Sequence, residues 1–409
     1  LKYLPTRALA RKLQLIEIMK VSEKYEKYTV GNYGKRSITL AKGKGAHVWD
    51  ENGKKYLDFG GGIAVLSLGH CNKKLVDALI KQANTLGHCS NLYMHAPQAD
   101  AAEHLVKEMG KGKVFFCNSG AEANEALLKA ARLNGKKLSG EEGRKFRVIV
   151  AVNGFHGRTL ATLSATAQEK IQKGFSPLMP EFSYAEFNNL KSVEDLMGDD
   201  VAAVLVEPIP ATKEFLQGLR SLCDKHGAML MFDEVQCGVG RTGKFSASKK
   251  FGVKADAISM AKGLGGGFPI GAIWLSEKYQ DLFTPGAHGT TFGGNPLACA
   301  CANAVMDEID SKKLCQNAEK LGKKLLSSLQ KIAKKYPQKI KLARGVGLMI
   351  GVLFQDNYKN ADVCSALIKN GLILVPAGSN ALRLLPPLNI KESEVNSALK
   401  IFEKTISEI

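Results

Sequence analysis

Short apolar runs alternate with amphipathic stretches through much of the chain. Five of these runs have the length and the flanking turn residues of buried strands, and a helical period lies between most of them. Strands that are apolar on both faces are typical of a parallel sheet with helices on each side. The pattern therefore predicts an α/β protein with a mainly parallel sheet, whose strands include residues 113–117, 148–152, 201–206, 228–232 and 257–260.

The two ends of the chain have a different pattern. Residues 46–49 and 56–59 flank an Asn52-Gly53 pair, which predicts a β-hairpin. From about residue 302, a long lysine-rich helix precedes a glycine-rich stretch and further helices, so a smaller α+β domain is expected there. We therefore divide the chain into an N-terminal segment that packs with the small domain, a large domain and a small C-terminal domain. Their expected boundaries are 1–60, 61–301 and 302–409.

The formal net charge of +18 is concentrated in one of these regions. Residues 312–341 contain ten lysines and one glutamate. Apolar residues recur there at helical spacing, and Tyr336 is the single aromatic residue of that stretch, so a solvated helix face is favoured over a nucleic-acid surface. No apolar stretch approaches the roughly 20 residues that span a bilayer, so no membrane segment is expected. The apolar positions of the helix are Leu314, Ala318, Leu321, Leu325, Leu329 and Ile332.

The beginning of the chain and the cysteines bear on its location. The basic residues Lys2, Arg7, Arg11 and Lys12 lack acidic neighbours, which is consistent with a transit-peptide remnant, an expression remnant or a helix that packs on a partner. The nine cysteines are scattered without metal-type pairs, which indicates a reducing compartment and no metal site. We expect a cytoplasmic protein, or a mitochondrial matrix protein if the basic segment is a transit-peptide remnant.

Chemically distinctive residues follow several of the predicted strands. Lys262 enters a glycine cluster, where a lysine that has lost water can attack a carbonyl group. Asp233 ends an apolar strand and needs a cation or several donors if it is buried. Residues 119–121 open a helix and offer free N–H groups to a phosphate. Each has a structural alternative (a surface lysine, a salt bridge, a common turn), but together they supply the groups that pyridoxal phosphate (PLP) requires.

Longer motifs in a fixed order carry a resemblance to a known family. The chain resembles the class III, PLP-dependent aminotransferases of fold type I from about residue 28 to its C-terminus. The resemblance implies a large domain with a mainly parallel seven-stranded sheet, a smaller α+β domain and a homodimer with shared active sites. The motifs are residues 58–65 (DFGGGIAV), 118–125 (NSGAEANE), 155–159 (FHGRT), 233–238 (DEVQCG), 261–269 (AKGLGGGFP) and 288–296 (HGTTFGGNP).

The resemblance implies roles around the cofactor. Lys262 would form the Schiff base and shuttle the proton, and Asp233 would keep the ring nitrogen protonated. Gln236 would bond the phenolic oxygen, and Phe155 would stack on the ring. Thr291 would reach the phosphate of the neighbouring subunit. The full set of expected cofactor-binding residues is Ser119, Gly120, Ala121, Phe155, Asp233, Glu234, Val235, Gln236, Lys262 and Thr291.

Substrate contacts are implied in the same way. Arg158 would pair with the substrate α-carboxylate, for which a planar guanidinium is suited, and Thr290 would contact the same substrate. Arg383 matches the family arginine that binds the carboxylate of glutamate or 2-oxoglutarate. Phe155, the two threonines and Arg383 also have plain structural readings, as a core residue, loop hydroxyls and a surface strand residue. The shared family pattern favours the functional ones.

The chain departs from the family pattern at two places. Glu207-Pro208-Ile209 runs straight into Pro210 and Thr212, whereas the family has a Gln-Gly-Glu-Gly-Gly stretch there. Its glutamate pairs with the glutamate-binding arginine and switches the site between substrates. Either the protein lacks this switch or the sequence omits a loop, and the clean return to the pattern at Thr212 favours omission. At residue 121 an alanine replaces the usual threonine, so a phosphate-binding hydroxyl is lost.

The resemblance implies a ping-pong transfer of the terminal amino group of N2-acetylornithine to 2-oxoglutarate. Residues 235–238 and 263–269 favour this substrate, while ornithine, succinylornithine and 4-aminobutyrate stay open as alternatives. A class III decarboxylase or aminomutase would use the same site. A basic nucleic-acid-binding protein that no longer uses PLP would instead show a steeply salt-dependent affinity for nucleic acid.

Overall fold

The computed structural model describes residues 20–34, 36–378 and 380–409. The basic segment at the beginning of the chain lies outside the described residues. Within the described ranges, no helix is long and apolar enough to cross a membrane. The first elements are α1 (Val21–Tyr28), a 3-10 turn (Gly31–Tyr33), β1 (Leu40–Lys44), β2 (His47–Asp50), β3 (Lys55–Asp58), a helical turn α2 (Gly61–Ala64), α3 (Lys73–Ala83) and α4 (Ala96–Met109).

The predicted hairpin is confirmed as β2 and β3, which pair antiparallel. Asp50 closes its turn, because its Oδ1 atom accepts the N–H groups of Asn52 at 3.0 Å and Lys54 at 2.9 Å. Gly53 has a φ of +80°, a left-handed conformation that glycine adopts without steric cost. The Asn-Gly signal in the sequence therefore has a direct structural cause.

A seven-stranded sheet forms the centre of the molecule, in the strand order β4-β10-β9-β8-β7-β5-β6. Strand β10 runs antiparallel to both of its neighbours, and the other pairs are parallel. This confirms the predicted α/β class and all five predicted strands. The strands are β4 (Gly112–Cys117), β5 (Arg147–Ala151), β6 (Phe182–Ala185), β7 (Val201–Val206), β8 (Met229–Asp233), β9 (Ala257–Met260) and β10 (Gly271–Ser276).

Helices cover both faces of this sheet. Alternate residues of β8 show the two faces: Leu230 and Phe232 pack in one apolar cluster, and Met229 and Met231 pack in the other. Side chains alternate across a strand, so a strand that is apolar throughout needs both covers. The helices are α5 (Gly120–Ser139), α6 (Leu160–Ala165), α7 (Glu169–Gln172), α8 (Leu190–Glu194), α9 (Lys213–His226), α10 (Ala247–Phe251) and α11 (Pro296–Ser311).

The C-terminal part contains a second sheet, in the order β11-β12-β15-β14, while β13 pairs in parallel with β3 of the hairpin. The lysine-rich helix is α12, and its buried residues include all six apolar positions that the spacing predicted. The elements are α12 (Leu314–Lys335), β11 (Ile340–Val346), β12 (Met349–Phe354), α13 (Asn360–Lys369), β13 (Leu372–Ile373), β14 (Val375–Ala377), β15 (Ala381–Leu384) and α14 (Glu392–Glu408).

Candidate active site

Lys262 lies directly beyond strand β9, at the carboxyl edge of the large sheet. It opens a 3-10 turn, Lys262–Leu264, and has a φ of +39°. The pKa of its amine is lowered, mainly by burial; the charges of Asp233 and Glu207 oppose this shift, and Arg383 supports it. A neutral amine is the nucleophilic form of lysine, so the site favours the form that attacks a carbonyl group.

Asp233 is the last residue of β8 and is buried. Its Oδ2 atom accepts two hydrogen bonds, from Asn124 Nδ2 at 2.7 Å and from His156 Nδ1 at 2.8 Å. Its Oδ1 atom accepts the N–H of Val235 at 3.0 Å. A buried carboxylate needs such donors, and together these three hydrogen bonds fix the Asp233 side chain at this edge of the sheet.

His156 connects Asp233 to the loop after β5. Burial by itself lowers the pKa of the imidazole, but the hydrogen bond and charge of Asp233, helped by Glu207, raise it overall. Its Nε2 atom is buried and has no hydrogen-bond partner in the described part of the chain. The hydrogen bond from His156 is thus one of the donors that the buried Asp233 carboxylate needs. Sequence reasoning quoted His156 only as part of a motif and did not place it in the site.

The turn between β4 and α5 forms an anion site. Ser119 caps the helix by accepting the N–H of Glu122 at 3.2 Å, and Gly120 and Ala121 are the first two helical residues. The N–H groups at this position have no acceptor within the helix, and the helix dipole adds positive potential. A Cβ atom at Gly120 would lie 2.6 Å from Val235 Cγ1, so the turn packs directly on the loop that follows Asp233.

The threonine pair lies beside this turn. Asn118 Nδ2 donates to Thr290 Oγ1 at 3.1 Å and to Glu122 Oε2 at 2.9 Å, which fixes the threonine loop to the end of β4. Thr291, the next residue, is exposed on the surface of the chain. Phe155 is also exposed, with the guanidinium of Arg158 5.7 Å from its ring centroid. One side of the site is therefore open within a single chain.

Arg383 reaches the site from the C-terminal sheet. It lies on β15, opposite Gly351 of β12 and Val375 of β14. Its Nη1 atom donates to Gln236 Oε1 at 2.7 Å. The structure thus joins a residue expected to bind substrate with one expected to bind the cofactor. No ion pair involves Arg383 within residues 20–34, 36–378 and 380–409.

Glu207 belongs to the same cluster, although sequence reasoning did not include it among the site residues. It follows β7, and its Oε2 atom accepts the N–H of Phe155 at 3.0 Å. Its pKa is raised, mainly by burial and also by Asp233, while His156 and Arg383 act in the opposite direction. The available signal was its position as the first polar residue after a fully apolar strand.

The connection from Glu207 to helix α9 is short. Ile209 and Ala211 are buried, and Thr212 caps α9 by accepting the N–H of Phe215 at 3.2 Å. The backbone N–H of Thr212 donates to Asn188 Oδ1 at 2.9 Å. Residues 208–212 contain no carboxylate, so this connection supplies no acidic partner for an arginine.

Glu234 has a different environment from the other residues of its motif. Its carboxylate accepts hydrogen bonds from the Ser246 hydroxyl at 2.7 Å and from the backbone of Ala247 at 2.8 Å and Ser248 at 2.9 Å. These bonds cap the beginning of α10, and the side chain is buried. The structure therefore brings together Lys262, Asp233 and the turn at 119–121, whereas the Glu234 side chain binds a neighbouring helix.

Among the described residues, no group of three or more His, Cys, Asp or Glu side chains could hold a metal ion. The edge instead offers an amine whose pKa is lowered, a buried and hydrogen-bonded carboxylate, and an anion-binding turn nearby. Arg158 lies beside the exposed Phe155 ring, and Arg383 donates to Gln236.

Comparison with known proteins gives matches along nearly the whole chain. Residues 29–406 match the family model for class-III aminotransferases. An acetylornithine aminotransferase from Nostoc sp. is 42% identical over 403 residues, covering 95% of this chain and 94% of the relative. A solved acetylornithine aminotransferase from Elizabethkingia anophelis is 34% identical with a TM-score of 0.84, covering 95% of this chain and 98% of that one. A solved ornithine aminotransferase from Toxoplasma gondii is 30% identical with a TM-score of 0.92, covering 99% of this chain and 98% of that one. That structure is described with partial occupancy of PLP at its active site.

Proposed function

The chain belongs to the class III aminotransferase family, and from this premise we propose that it transfers the terminal amino group of N2-acetylornithine to 2-oxoglutarate. The products are N-acetylglutamate 5-semialdehyde and glutamate, in the biosynthesis of arginine. The observation that carries the proposal is the convergence of Lys262, Asp233 and the turn at 119–121 at one edge of the sheet. The names of the relatives support the choice of substrate.

The residues present fit PLP as the cofactor. Gly120 leaves a cradle that a Cβ atom would fill, and the free N–H groups there suit a phosphate. Asp233, with three donors of its own, offers an ionised oxygen to a protonated ring nitrogen. Lys262 supplies the amine. When bound, PLP supplies an electron-withdrawing ring that stabilises negative charge on the substrate carbon.

The residues of this chain would hold and orient the PLP ring, and they would move protons beside it. Lys262 Nζ, whose pKa burial lowers, takes the proton from the substrate carbon and returns it. Asp233 would hold the ring nitrogen, Gln236 would bond the phenolic oxygen, and Phe155 would cover the ring. A pocket closed on these sides excludes water and strengthens each electrostatic contact.

Substrate recognition rests on carboxylates. Arg158 binds the α-carboxylate with help from Thr290, and Arg383 binds the second carboxylate of 2-oxoglutarate or glutamate. N2-acetylornithine has no second carboxylate, so Arg383 distinguishes the two halves of the reaction. Residues 208–212 of this sequence contain no acidic residue, and Arg383 donates to Gln236.

Ornithine is the second candidate substrate, because the ornithine aminotransferase of Toxoplasma gondii has a TM-score of 0.92 with this chain. The test is a visible spectrum of the protein with bound PLP, before and after N2-acetylornithine is added without a keto acid. We expect the absorbance to change at lower concentrations of N2-acetylornithine than of ornithine or 4-aminobutyrate. Lys262→Ala should lose both turnover and the absorbance of the lysine-bound cofactor. Retention of both would refute the proposal.

The proposal extends to the organisation of the protein. The division into 1–60, 61–301 and 302–409 is supported by the sheets, because β3 pairs with β13 whereas β4 to β10 form a sheet of their own. A homodimer with shared sites is supported by the open side of the site, where Thr291 is exposed. The relatives from Nostoc and other microorganisms favour the cytoplasm over the mitochondrial matrix.

A further inference from the structure

Asn124 is a buried asparagine on helix α5, one turn beyond the anion-binding turn, with 1% of its surface exposed. Its Nδ2 atom donates to Asp233 Oδ2 at 2.7 Å and to the backbone carbonyl of His156 at 2.7 Å. Its Oδ1 atom accepts the hydroxyl of Ser259 at 2.7 Å. Both amide hydrogens and the oxygen are therefore used, which is rare for a side chain that only fills space.

The Asp233 carboxylate and the His156 carbonyl determine which way the amide points, because both only accept hydrogen bonds and so face the NH2 group. Ser259 donates its hydroxyl to the remaining Oδ1 atom. An ionised carboxylate only accepts hydrogen bonds, and a flipped amide would place two acceptors against each other. Ser259 is fully buried on β9, three residues before Lys262. Asn124 thus links the anion-binding helix, Asp233 and the strand that carries the lysine.

We propose that Asn124, held by Ser259, is a positioning residue that fixes the carboxylate of Asp233 for the ring nitrogen of the cofactor. The inference rests on the proposed function, because it concerns how this chain holds PLP. Asn124 acts through Asp233 and does not touch the reacting atoms. The donors from His156 and Val235 hold the carboxylate from two other directions, so the three together leave it one orientation.

The test separates this role from ordinary packing by using a second ligand. Asn124→Leu removes the donor and nearly preserves the volume. Binding of PLP to the apoprotein is measured by equilibrium dialysis, beside an analogue in which the ring nitrogen is replaced by C–H. We expect Asn124→Leu to raise the Kd for PLP at least about tenfold and to change the Kd for the analogue less than about twofold, because the analogue has no use for Asp233.

Asn134→Leu is the matched control. Asn134 is buried on the same helix, about 15 Å further along the axis. Its Nδ2 atom has no partner among the described residues. We expect both Kd values to stay within about twofold of the wild type, whatever happens to the melting temperature. Ser259→Ala should raise the Kd for PLP about threefold and leave that for the analogue unchanged, because the amide loses the hydrogen bond that holds its oxygen.

The outcomes distinguish this inference from the proposed function. A wild-type protein that binds no PLP would overturn both. A wild type that binds PLP, with an Asn124→Leu variant that loses affinity equally for both ligands or for neither, would overturn the positioning role alone. If Asn124→Leu does not fold, the Ser259→Ala variant tests the positioning role instead. A rise in the Kd for PLP but not in the Kd for the analogue would support the role, and equal changes in both would overturn it.

Discussion

Arg383 forms its hydrogen bond with a neutral side chain, Gln236, although a carboxylate would bind the guanidinium more strongly. The hydrogen bond from its Nη1 atom to Gln236 Oε1 is 2.7 Å long, but an amide carries no charge to hold a guanidinium. Glu207 lies in the same region, and burial raises the pKa of its carboxyl group. Because the hydrogen-bond partner of Arg383 is a neutral amide, we expect the guanidinium to bind 2-oxoglutarate and glutamate in preference to a substrate with one carboxylate.

We expect Arg383→Met to separate the two substrates. The Michaelis constant for 2-oxoglutarate should rise about 100-fold, equivalent to about 2.7 kcal/mol of lost charge-assisted hydrogen bonding. The kcat/KM for N2-acetylornithine should change less than about threefold, because that substrate has no second carboxylate. Steady-state kinetics with each substrate varied in turn make the measurement. An equal loss for both substrates would show that Arg383 supports the site as a whole.

At the scale of elements, the contact between helix α5 and the loop after β8 sets the shape of the anion site. A Cβ atom at Gly120 would lie 2.6 Å from Cγ1 and 3.1 Å from Cγ2 of Val235. No larger residue fits without moving the turn. The N–H of Val235 in turn donates to Asp233, so a displaced turn would disturb the carboxylate as well. The anion-binding turn and the Asp233 carboxylate therefore both depend on the packing of Gly120 against Val235.

This contact predicts a compensating pair. Gly120→Ala should weaken PLP binding about tenfold, because the new methyl group pushes the turn away from Val235. Adding Val235→Ala removes both Cγ atoms and should restore most of the affinity, while Val235→Ala alone costs about 1–3 kcal/mol of stability without a large change in Kd. Equilibrium dialysis with PLP measures the Kd of the single and double variants, and the departure from additivity gives the coupling between the two substitutions. Independent, additive losses would contradict the explanation.

The elements also show what the sequence could predict. The strands and their chemically active ends were predictable, because β7 is apolar at every position, β8 is apolar up to Asp233, β9 is apolar except for Ser259, and a polar residue lies at or just beyond the end of each. Helix α5 continues through Gly135 to Ser139, although a glycine often marks the end of a helix. A Cβ atom at Gly135 would lie 1.8 Å from the carbonyl oxygen of Lys145, so this glycine serves close packing and does not end the helix.

The hydrogen-bond partners of individual side chains were harder to predict from the sequence. Residues adjacent in one motif point in different directions, so that Asp233 faces the site and Glu234 caps helix α10. Asn124 and Ser259 meet across 135 positions of sequence, and only the packing of α5 on the sheet brings them together. A motif therefore predicts which residues gather at a site, while the partner of each atom depends on tertiary contacts.

At the scale of the whole molecule, Arg241 joins the large sheet to the C-terminal part. Its guanidinium is buried and donates to the backbone carbonyls of Leu348, at 3.2 Å, and Pro386. Burial lowers its pKa to about 10. Pro386 follows β15, the strand that carries Arg383. The position of the substrate arginine therefore depends on a buried cation bound to carbonyl groups.

Replacing Arg241 by Met should lower the free energy of unfolding by about 3 kcal/mol, since two buried carbonyl groups lose their donor. Urea denaturation of the apoprotein measures this change. Arg144→Met is the control, because Arg144 is exposed, and it should stay within about 0.5 kcal/mol of the wild type. Equal stability of the two variants would mean that the buried guanidinium costs as much as it contributes.

Two loops present apolar side chains at the open side of the site. Leu92, Tyr93 and Met94 are exposed, and Met94 fully so. Asn91 Nδ2 donates to the carbonyls of Thr290, at 3.2 Å, and of Gly293, at 3.0 Å, which joins this loop to the one that carries Thr291. A group of exposed apolar side chains on one loop indicates a protein interface. We expect this surface to be covered by a second copy of the chain.

A mixed dimer tests whether the partner completes the site. Lys262→Ala and Thr291→Asp should each inactivate a homodimer, the first by removing the amine and the second by repelling the phosphate. If Thr291 serves the neighbouring subunit, a heterodimer of the two variants has one site with both changes and one with neither, so it should recover roughly half of the wild-type activity. Co-expression with two affinity tags isolates the heterodimer. If each chain instead builds its own site, both sites carry a change and the heterodimer is as inactive as its parents.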